Sequence, residues 1–434
     1  MLIGGHMKVI GIDIGTTGIC GVLLDGKNGN VIQSKTVDSN AFIKTPNEWE
    51  KIQDPNKIIS ICTDILSSFL NDFEEDVVAI GLTGQMHGIV YVNSEGMAVS
   101  PLYTWQDERG NLPYRDTTYA GYLGSFSGYG NVTDFYNRKN NLVPQDAVTY
   151  CTIHDFLGMV LCKNKKPILH ASDAASFGFY NVAQNKFDYD YDPQVTDGFE
   201  IIGTYRNIPV SVAIGDNQAS VFSTLADTND ILINVGTGSQ ISVVSEHPIT
   251  ADGIECRPYV DGKYLIVGAA LCGGRAYSLL KDFYKQLLDA ANCNDVDVYS
   301  IMDSLLQSKS STTLKVDTRF AGTRADANIR GSISNISVDN LTPADLTLGL
   351  LCGMVEELHD LYLNMGVKRV GIVGSGNGIR KNQTLIRIAE EAFGAKLKIP
   401  LHTEEAACGA ALFALVCCGK YSDVSEVQKL IQYT

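Results

Sequence analysis

The sequence predicts an α/β protein made of two similar domains. A strand, a Gly/Thr turn and a second strand open the chain, and the same unit recurs about half a chain later. Between and after these hairpins, buried strands alternate with segments of helical periodicity, which is the α/β pattern. The 434 residues are enough for two cores of ordinary size, and 45% hydrophobic against 19% charged residues is a globular composition.

In order, Lys8–Ile14 is a β-branched run that ends in Gly15-Thr16-Thr17-Gly18, and Ile19–Leu24 follows as the hairpin's second strand. Asp25–Asn30 is the next turn, and a third strand starts at Val31. Val77–Leu82 reads as a buried strand leading into Thr83-Gly84-Gln85-Met86-His87-Gly88. Val210–Ile214 reads the same way, leading into Gly215-Asp216-Asn217-Gln218. The second half repeats the hairpin as Ile231–Val235, Gly236-Thr237-Gly238-Ser239 and Gln240–Val244. Pro343–Leu363 is a long amphipathic helix. Val370–Val373 is a strand entering Gly374-Ser375-Gly376-Asn377-Gly378, and Thr384–Phe393 is a helix with Gly394 at its stop. Glu405–Cys417, apolar on most faces, is a buried helix. Thr224–Asp230 reads as a polar linker, giving domains at 7–224 and 225–434, and Met1–His6 reads as foreign to the strand behind it.

A formal net charge of −15 with no Lys/Arg cluster argues against nucleic acid or an anionic membrane as partner. No apolar run has the length of a membrane span, and the start lacks a signal peptide's charged and apolar regions. The 11 cysteines show no metal-ligand spacing and read as reduced, mostly buried thiols of a cytoplasmic protein.

The chemistry concentrates in the turns. Glycine lets a backbone approach a phosphate and offer its N–H groups, and Thr hydroxyls add donors. Gly15, Thr16 and Thr17 in one half, with Gly236 and Thr237 in the other, would grip a nucleotide's phosphates from both sides. Asp13 at a strand end suits Mg²⁺, which takes one or two carboxylates plus waters and phosphate oxygens. Gly374, Ser375, Gly376 and Asn377 ahead of a helix fit a further nucleotide contact. A P-loop signature is absent. Asp216 reads either as a helix N-cap or as a general base toward a hydroxyl, with Asn217 and Gln218 beside it for sugar hydroxyls. Gln85, Met86 and His87 follow a strand end, where α/β sheets bind ligands. Trp105 sets an aromatic face beside Gln106 and Asp107, either a sugar wall or a surface turn. Thr152 and Asp155 form a capping box, which gives His154 a structural reading.

Taken in order, Ile10–Thr16, Gly84–Gly88, Trp105–Arg109, Gly215–Ser220, Asn234–Thr237 and Glu404–Ala411 resemble the FGGY family of carbohydrate kinases, over nearly the whole chain. Gln85-Met86-His87 resembles its ketose-kinase branch. Thr152–Phe156, Ala174–Asn181, Gly215–Ser223 and Ala269–Gly274 point within that branch to sedoheptulose, with xylulose or ribulose next. The resemblance implies two actin-like (ribonuclease-H-like) domains with an interdomain cleft that closes over ATP, Mg²⁺ and the sugar. It implies Asp216 as base toward a primary hydroxyl, Asp13 near the metal, Gly273 and Gly274 at the nucleotide, and Gln85, Met86, His87, Trp105, Asp107 and Asn217 at the sugar. Partners are then the sugar and ATP, with a homodimer left open. The same fold also serves nucleotide-gated sugar-binding and regulatory proteins, and an acid at 216 favours an enzyme. The chain departs from the family pattern in its short length, in lacking a Lys-x-x-Trp segment within 136–150, and in Gly-Ser-Gly-Asn at the adenosine loop.

Overall fold

The computed structural model describes residues 7–191, 193–324, 326 and 328–434. Their contacts divide the chain into two compact units. The first holds the chain up to Ala226, with Arg257–Tyr264 and His402–Gln432; the second holds Asp227–Cys256, Leu265–Leu401 and the last two residues.

In the first unit, β1 (Lys8–Ile14), β2 (Gly18–Asp25) and β3 (Val31–Asp38) form an antiparallel meander, as the two turns predicted. On the far side of β1, β4 (Val77–Gly84) joins in parallel. The sheet is completed by β5 (Ile201–Tyr205), β6 (Ile208–Ser211) and β7 (Ile214–Gly215), in the order β5-β6-β4-β1-β2-β3 with β7 also on β4. The single strand expected at Val210–Ile214 is therefore two. Val210 pairs with Ile80 and Ile214 with Thr83, so four steps of one chain face three of the other, and the ladder breaks at the surplus residue.

The helices of this unit follow their local signals. Asp54 caps α1 (Pro55–Phe73) with Pro at its start. Thr152 caps α2 (Ile153–Cys162), accepting the Asp155 N–H at 3.2 Å while its hydroxyl donates to Asp155 at 2.6 Å. α3 (Ala171–Ser176) and α4 (Asp216–Thr224) precede the boundary. The stretch read as a polar linker is packed at both ends, with Thr224 and Leu225 buried and Asp230 held by Lys398 at 2.7 Å.

The second unit repeats the plan. β8 (Asp230–Val235) and β9 (Ser239–Ser245) are the predicted second hairpin. With β10 (Ile254–Pro258), β11 (Tyr264–Ala270), β12 (Gly371–Ser375) and β13 (Leu397–Lys398), the sheet runs β10-β11-β9-β8-β12-β13, and β12 is parallel to β8 as β4 is to β1. Its helices include α5 (Gly273–Ala290), α6 (Pro343–Asn364), α7 (Gly376–Lys381) and α8 (Gln383–Phe393). Gly394 closes α8 in the left-handed conformation at φ 66°.

The predicted buried helix, α9 (Glu405–Cys417), belongs to the first unit and lies directly on its sheet. Gly11 and Gly81 pair across β1 and β4, and a Cβ on either would collide with the α9 carbonyls of Ala407 and Ala410. Gly81→Ala should therefore cost about 1–3 kcal/mol or more, because backbone cannot yield as a side chain tip would. Gly198→Ala, whose new methyl meets only Thr196 Oγ1 at 3.7 Å, should stay within about 0.5 kcal/mol. Urea unfolding of the two variants checks this, and equal losses would remove the glycine argument.

Candidate functional site

In the first unit the expected residues gather at the C-terminal ends of β1 and β4. Thr16, at the tip of the β1–β2 turn, is a hub. Its carbonyl accepts Gln53 Nε2 at 2.6 Å and Ser39 Oγ at 3.3 Å. Its hydroxyl accepts Trp105 Nε1 at 2.9 Å and donates to Gln85 Oε1 at 3.3 Å, and Gln85 Nε2 donates to Gln53 at 3.0 Å. Gln85 is thus buried wiring beneath the turn. Trp105, tethered by its ring N–H, remains 47% exposed and offers a flat apolar face. Thr17 is exposed beside it and its carbonyl takes the Ser39 N–H at 2.8 Å.

His87 sits at φ 71°, with its main-chain N–H on Ser176 Oγ at 3.1 Å. Its Nδ1 lies 2.8 Å from the Ser176 carbonyl, which only accepts, so Nδ1 carries the proton and Nε2 is the ring's acceptor. The ring stacks on Tyr129 at 4.3 Å. Met86 is buried against Gly215. Asp107 does not join this group. It is 1% exposed, and its carboxylate is engaged by the Lys51 N–H at 3.0 Å and by buried Arg109 through Nε at 2.6 Å and Nη2 at 3.1 Å.

Asp216 is the first residue of α4. Gly215 is the N-cap, and the Asp216 carboxylate takes the Asn217 N–H of the opening turn. Burial pushes its pKa up, while His154, the Asn217 N–H and Arg257 pull it back. His154 is fully buried, with Nε2 2.9 Å from Asp173 Oδ1 and Nδ1 against Gly84, which pairs with Gly215. Burial lowers the imidazole and raises Asp173, so the pair favours its neutral form. Donor atoms of His154, Asp155 and Asp173 lie within 4.8 Å of one another, but Thr152 already bonds Asp155. Asn217 Oδ1 accepts Arg257 Nη1 at 3.0 Å, and Gln218, fully buried, donates to the Pro258 carbonyl at 2.9 Å. These two amides, expected at sugar hydroxyls, hold the Arg257 segment.

Asp13 completes the group. Its Oδ1 is buried with no hydrogen-bond partner among the described residues. Burial first, then the Asp216 and Glu404 carboxylates, raises its pKa to about 7. An orphaned carboxylate oxygen with two further acids in its field fits a bound cation. Sequence reasoning gave no role to Arg257, Tyr129, Asp173 or Glu404; only the fold brings them to Asp13 and Asp216.

In the second unit the nucleotide candidates converge at the end of β8. The Gly236 N–H closes the turn on Gly238 O at 2.9 Å. The start of α5 packs onto it, with Gly274 N–H on Gly236 O at 3.0 Å and Arg275 N–H on Thr237 O at 2.9 Å. A Cβ on Gly273 or Gly274 would collide with Ser239 Oγ or Gly236 O, and no side chain caps the helix. Ser375 Oγ accepts Asn234 Nδ2 at 2.7 Å; Gly374 is buried, Gly376 takes φ 80°, and Asn377 is exposed at the start of α7.

Residues 8–115 match the model of the FGGY family of carbohydrate kinases, N-terminal domain, and residues 231–418 that of its C-terminal domain. A sedoheptulokinase of Mus musculus is 27% identical over 94% of this chain and 97% of that protein. A xylulose kinase of Staphylococcus epidermidis is 23% identical over 96% and 89%. The crystal structure of xylulose kinase from Rhodospirillum rubrum superposes with a TM-score of 0.85 at 18% identity, covering 98% of this chain and 93% of that one. The likeness bears out the α/β class and the two actin-like domains.

Asp13 gives a pH test. An acid whose folded pKa lies above its unfolded value costs stability as pH rises from about 4, where the unfolded carboxyl ionises, to about 7, where the folded one does. Asp13→Asn removes that cost. In metal-free buffer it should raise Tm, with a gain that is smallest near pH 4, grows to about pH 7 and is flat above. A gain independent of pH would show that Asp13 is not held protonated.

Proposed function

We propose, from the premise that this chain belongs to the FGGY family of carbohydrate kinases and is a phosphotransferase with an alcohol acceptor, that it moves the γ-phosphoryl group of ATP to a primary hydroxyl of a ketose, with sedoheptulose the first substrate to test. Xylulose or ribulose is second, in keeping with the xylulose kinases among its relatives. The observation that carries the reading is Asp216. It is the first residue of α4, beside cationic Arg257 and in the unit that holds Trp105, His87 and Tyr129.

In phosphoryl transfer a protein mainly positions groups and stabilises charge. Asp216 accepts the proton of the attacking hydroxyl; burial raises its pKa, and His154, the Asn217 N–H and Arg257 oppose that rise. The Trp105 face takes an apolar side of the sugar, and the His87 ring meets a hydroxyl. Asp13, with Glu404 near it, would hold Mg²⁺, which supplies neutralisation of the phosphate charge. In the second unit, the exposed turn Gly236–Gly238 suits phosphates, and 374–377 suits the adenosine. Every cysteine is a free thiol, in keeping with a cytoplasmic enzyme.

Coupled ADP release across a ketose panel tests the substrate. Asp216→Asn keeps the shape and should lower kcat about 10²–10⁴-fold while nucleotide binding persists. Wild-type turnover in that variant would reject the base, and no sugar-stimulated ADP release by the parent with any ketose would reject the acceptor class.

A further inference from the structure

Three segments of the candidate site come from distant parts of the first unit, and each is bonded to the short buried helix α3 or to the residue that ends it. At the start of α3, Ser172 Oγ accepts the Gly215 N–H at 3.0 Å, and Gly215 is the residue before Asp216. His170 Nδ1 takes the Ser172 N–H at 3.2 Å, so this nitrogen is an acceptor, and the Ser172 hydroxyl 2.9 Å away donates to it. The hydroxyl is thus used in both directions and stays aimed at Gly215. At the other end, Ser176 Oγ accepts the His87 N–H at 3.1 Å and donates to the Asp173 carbonyl at 2.7 Å, while the Ser176 carbonyl lies 2.8 Å from His87 Nδ1. His87 at φ 71° has a left-handed conformation that a histidine seldom adopts unaided, and its two bonds to Ser176 hold it there. Just past α3, the Phe177 carbonyl accepts the Asn131 N–H at 3.0 Å, two residues from Tyr129, whose ring stacks on His87. Ser172 and Ser176 are buried and four residues apart in the helix, so they share a face about one turn apart, at a spacing the backbone fixes.

We propose that α3 is the gauge of the acceptor site: Ser172 is a positioning residue for Asp216 and Ser176 for His87, so that one helical turn fixes how far the proton acceptor stands from the ring that meets the sugar. The inference rests on the kinase reading above and takes from it Asp216 as base and His87 as sugar contact. A buried serine that served packing alone would change the amount of folded enzyme whatever stood at 87 or 216. A gauge acts through one named partner, and its effect vanishes when that partner is gone.

The test uses the full chain with ATP and its best acceptor from a ketose panel, in two double-mutant cycles. Ser172→Ala should lower kcat about 10-fold, because misplacing a reacting group by even ~1 Å is expensive, and should move the acceptor's KM less than about 2-fold. In an Asp216→Asn background the same substitution should change the residual kcat less than about 2-fold. Ser176→Ala should instead raise the acceptor's KM about 10-fold, and in a His87→Ala background should leave it within about 2-fold. Both serine variants should keep the parent's KM for ATP. Equal losses with and without the partner, in either cycle, would overturn the proposal, as would parent-like kcat in Ser172→Ala. If Ser172→Ala does not fold, Ser172→Cys, which keeps the shape with a weaker acceptor, takes its place in the same cycle. Parent-like turnover in Asp216→Asn would reject the base and with it the role given to Ser172. A parent that phosphorylates no acceptor rejects the kinase reading and this inference with it, whereas a parent that turns over while the losses add rejects this inference alone.

Discussion

The first unit depends on one contact: the backbone of α9 lying against the backbone of β1 and β4. Gly11 and Gly81 open the sheet surface for it, and Gly409 lets the helix meet the Ala219 carbonyl of α4. Ser223 Oγ adds a bond to the Glu405 carbonyl at 2.7 Å. Three elements distant in sequence are thereby fixed at their chemically active ends. β1 ends near Asp13, α4 begins at Asp216, and Glu404 is the residue before α9, with Cys20 Sγ 3.3 Å from its carboxylate. A side chain at any of the three glycines would push these ends apart, so backbone contact sets the distance between acids.

That arrangement has an electrostatic cost. Asp13, Asp216 and Glu404 share one neighbourhood, and burial opposes ionising the two aspartates there. A protein selected for stability alone would place an amide or apolar group at 13. Arg257 offsets part of the repulsion at Asp216, and a cation would do so at Asp13. The buried His154–Asp173 pair behaves differently. Both members shift toward neutrality, so it adds polar atoms behind Asp216 without adding net charge.

What the sequence reveals of this follows from the range of the forces involved. Hairpins, caps and α9 were legible because they are local: turn residues, a Thr–Asp box at 152 and 155, and an unbroken apolar run. The gathering of Asp13, Thr16, Gln85, His87, Trp105 and Asp216 was legible as a set of strand ends. The function of single polar residues was not. Trp105–Arg109 displays an aromatic beside acids and an amide, which reads like a sugar wall. Yet Arg109 is enclosed by Tyr103 at 4.2 Å and Asn137 at 2.6 Å and draws Asp107 inward as its counter-ion. Asn217 and Gln218 likewise look ligand-facing until Arg257 arrives from forty residues away. No local pattern announces Arg257, because Glu255-Cys256-Arg257-Pro258-Tyr259 matches no site motif.

The duplicated turns show how one topology is turned to two chemistries. At Thr16 the turn is tied by side chains: Gln53, Gln85, Ser39 and Trp105 all bond it, leaving a rigid polar floor under an aromatic face. At Gly236–Gly238 side chains play little part. The turn is exposed and is braced by backbone from the uncapped start of α5. A floor of fixed side-chain donors and acceptors suits a neutral polyol, whose hydroxyls need partners of both kinds. An exposed glycine turn against a helix start offers close backbone approach and a positive dipole end, which suits an anion. The two halves share a strand order, so the difference lies in what each turn is braced against: glycine at 273 and 274 admits the helix backbone in one, and Gln and Trp side chains fill that role in the other.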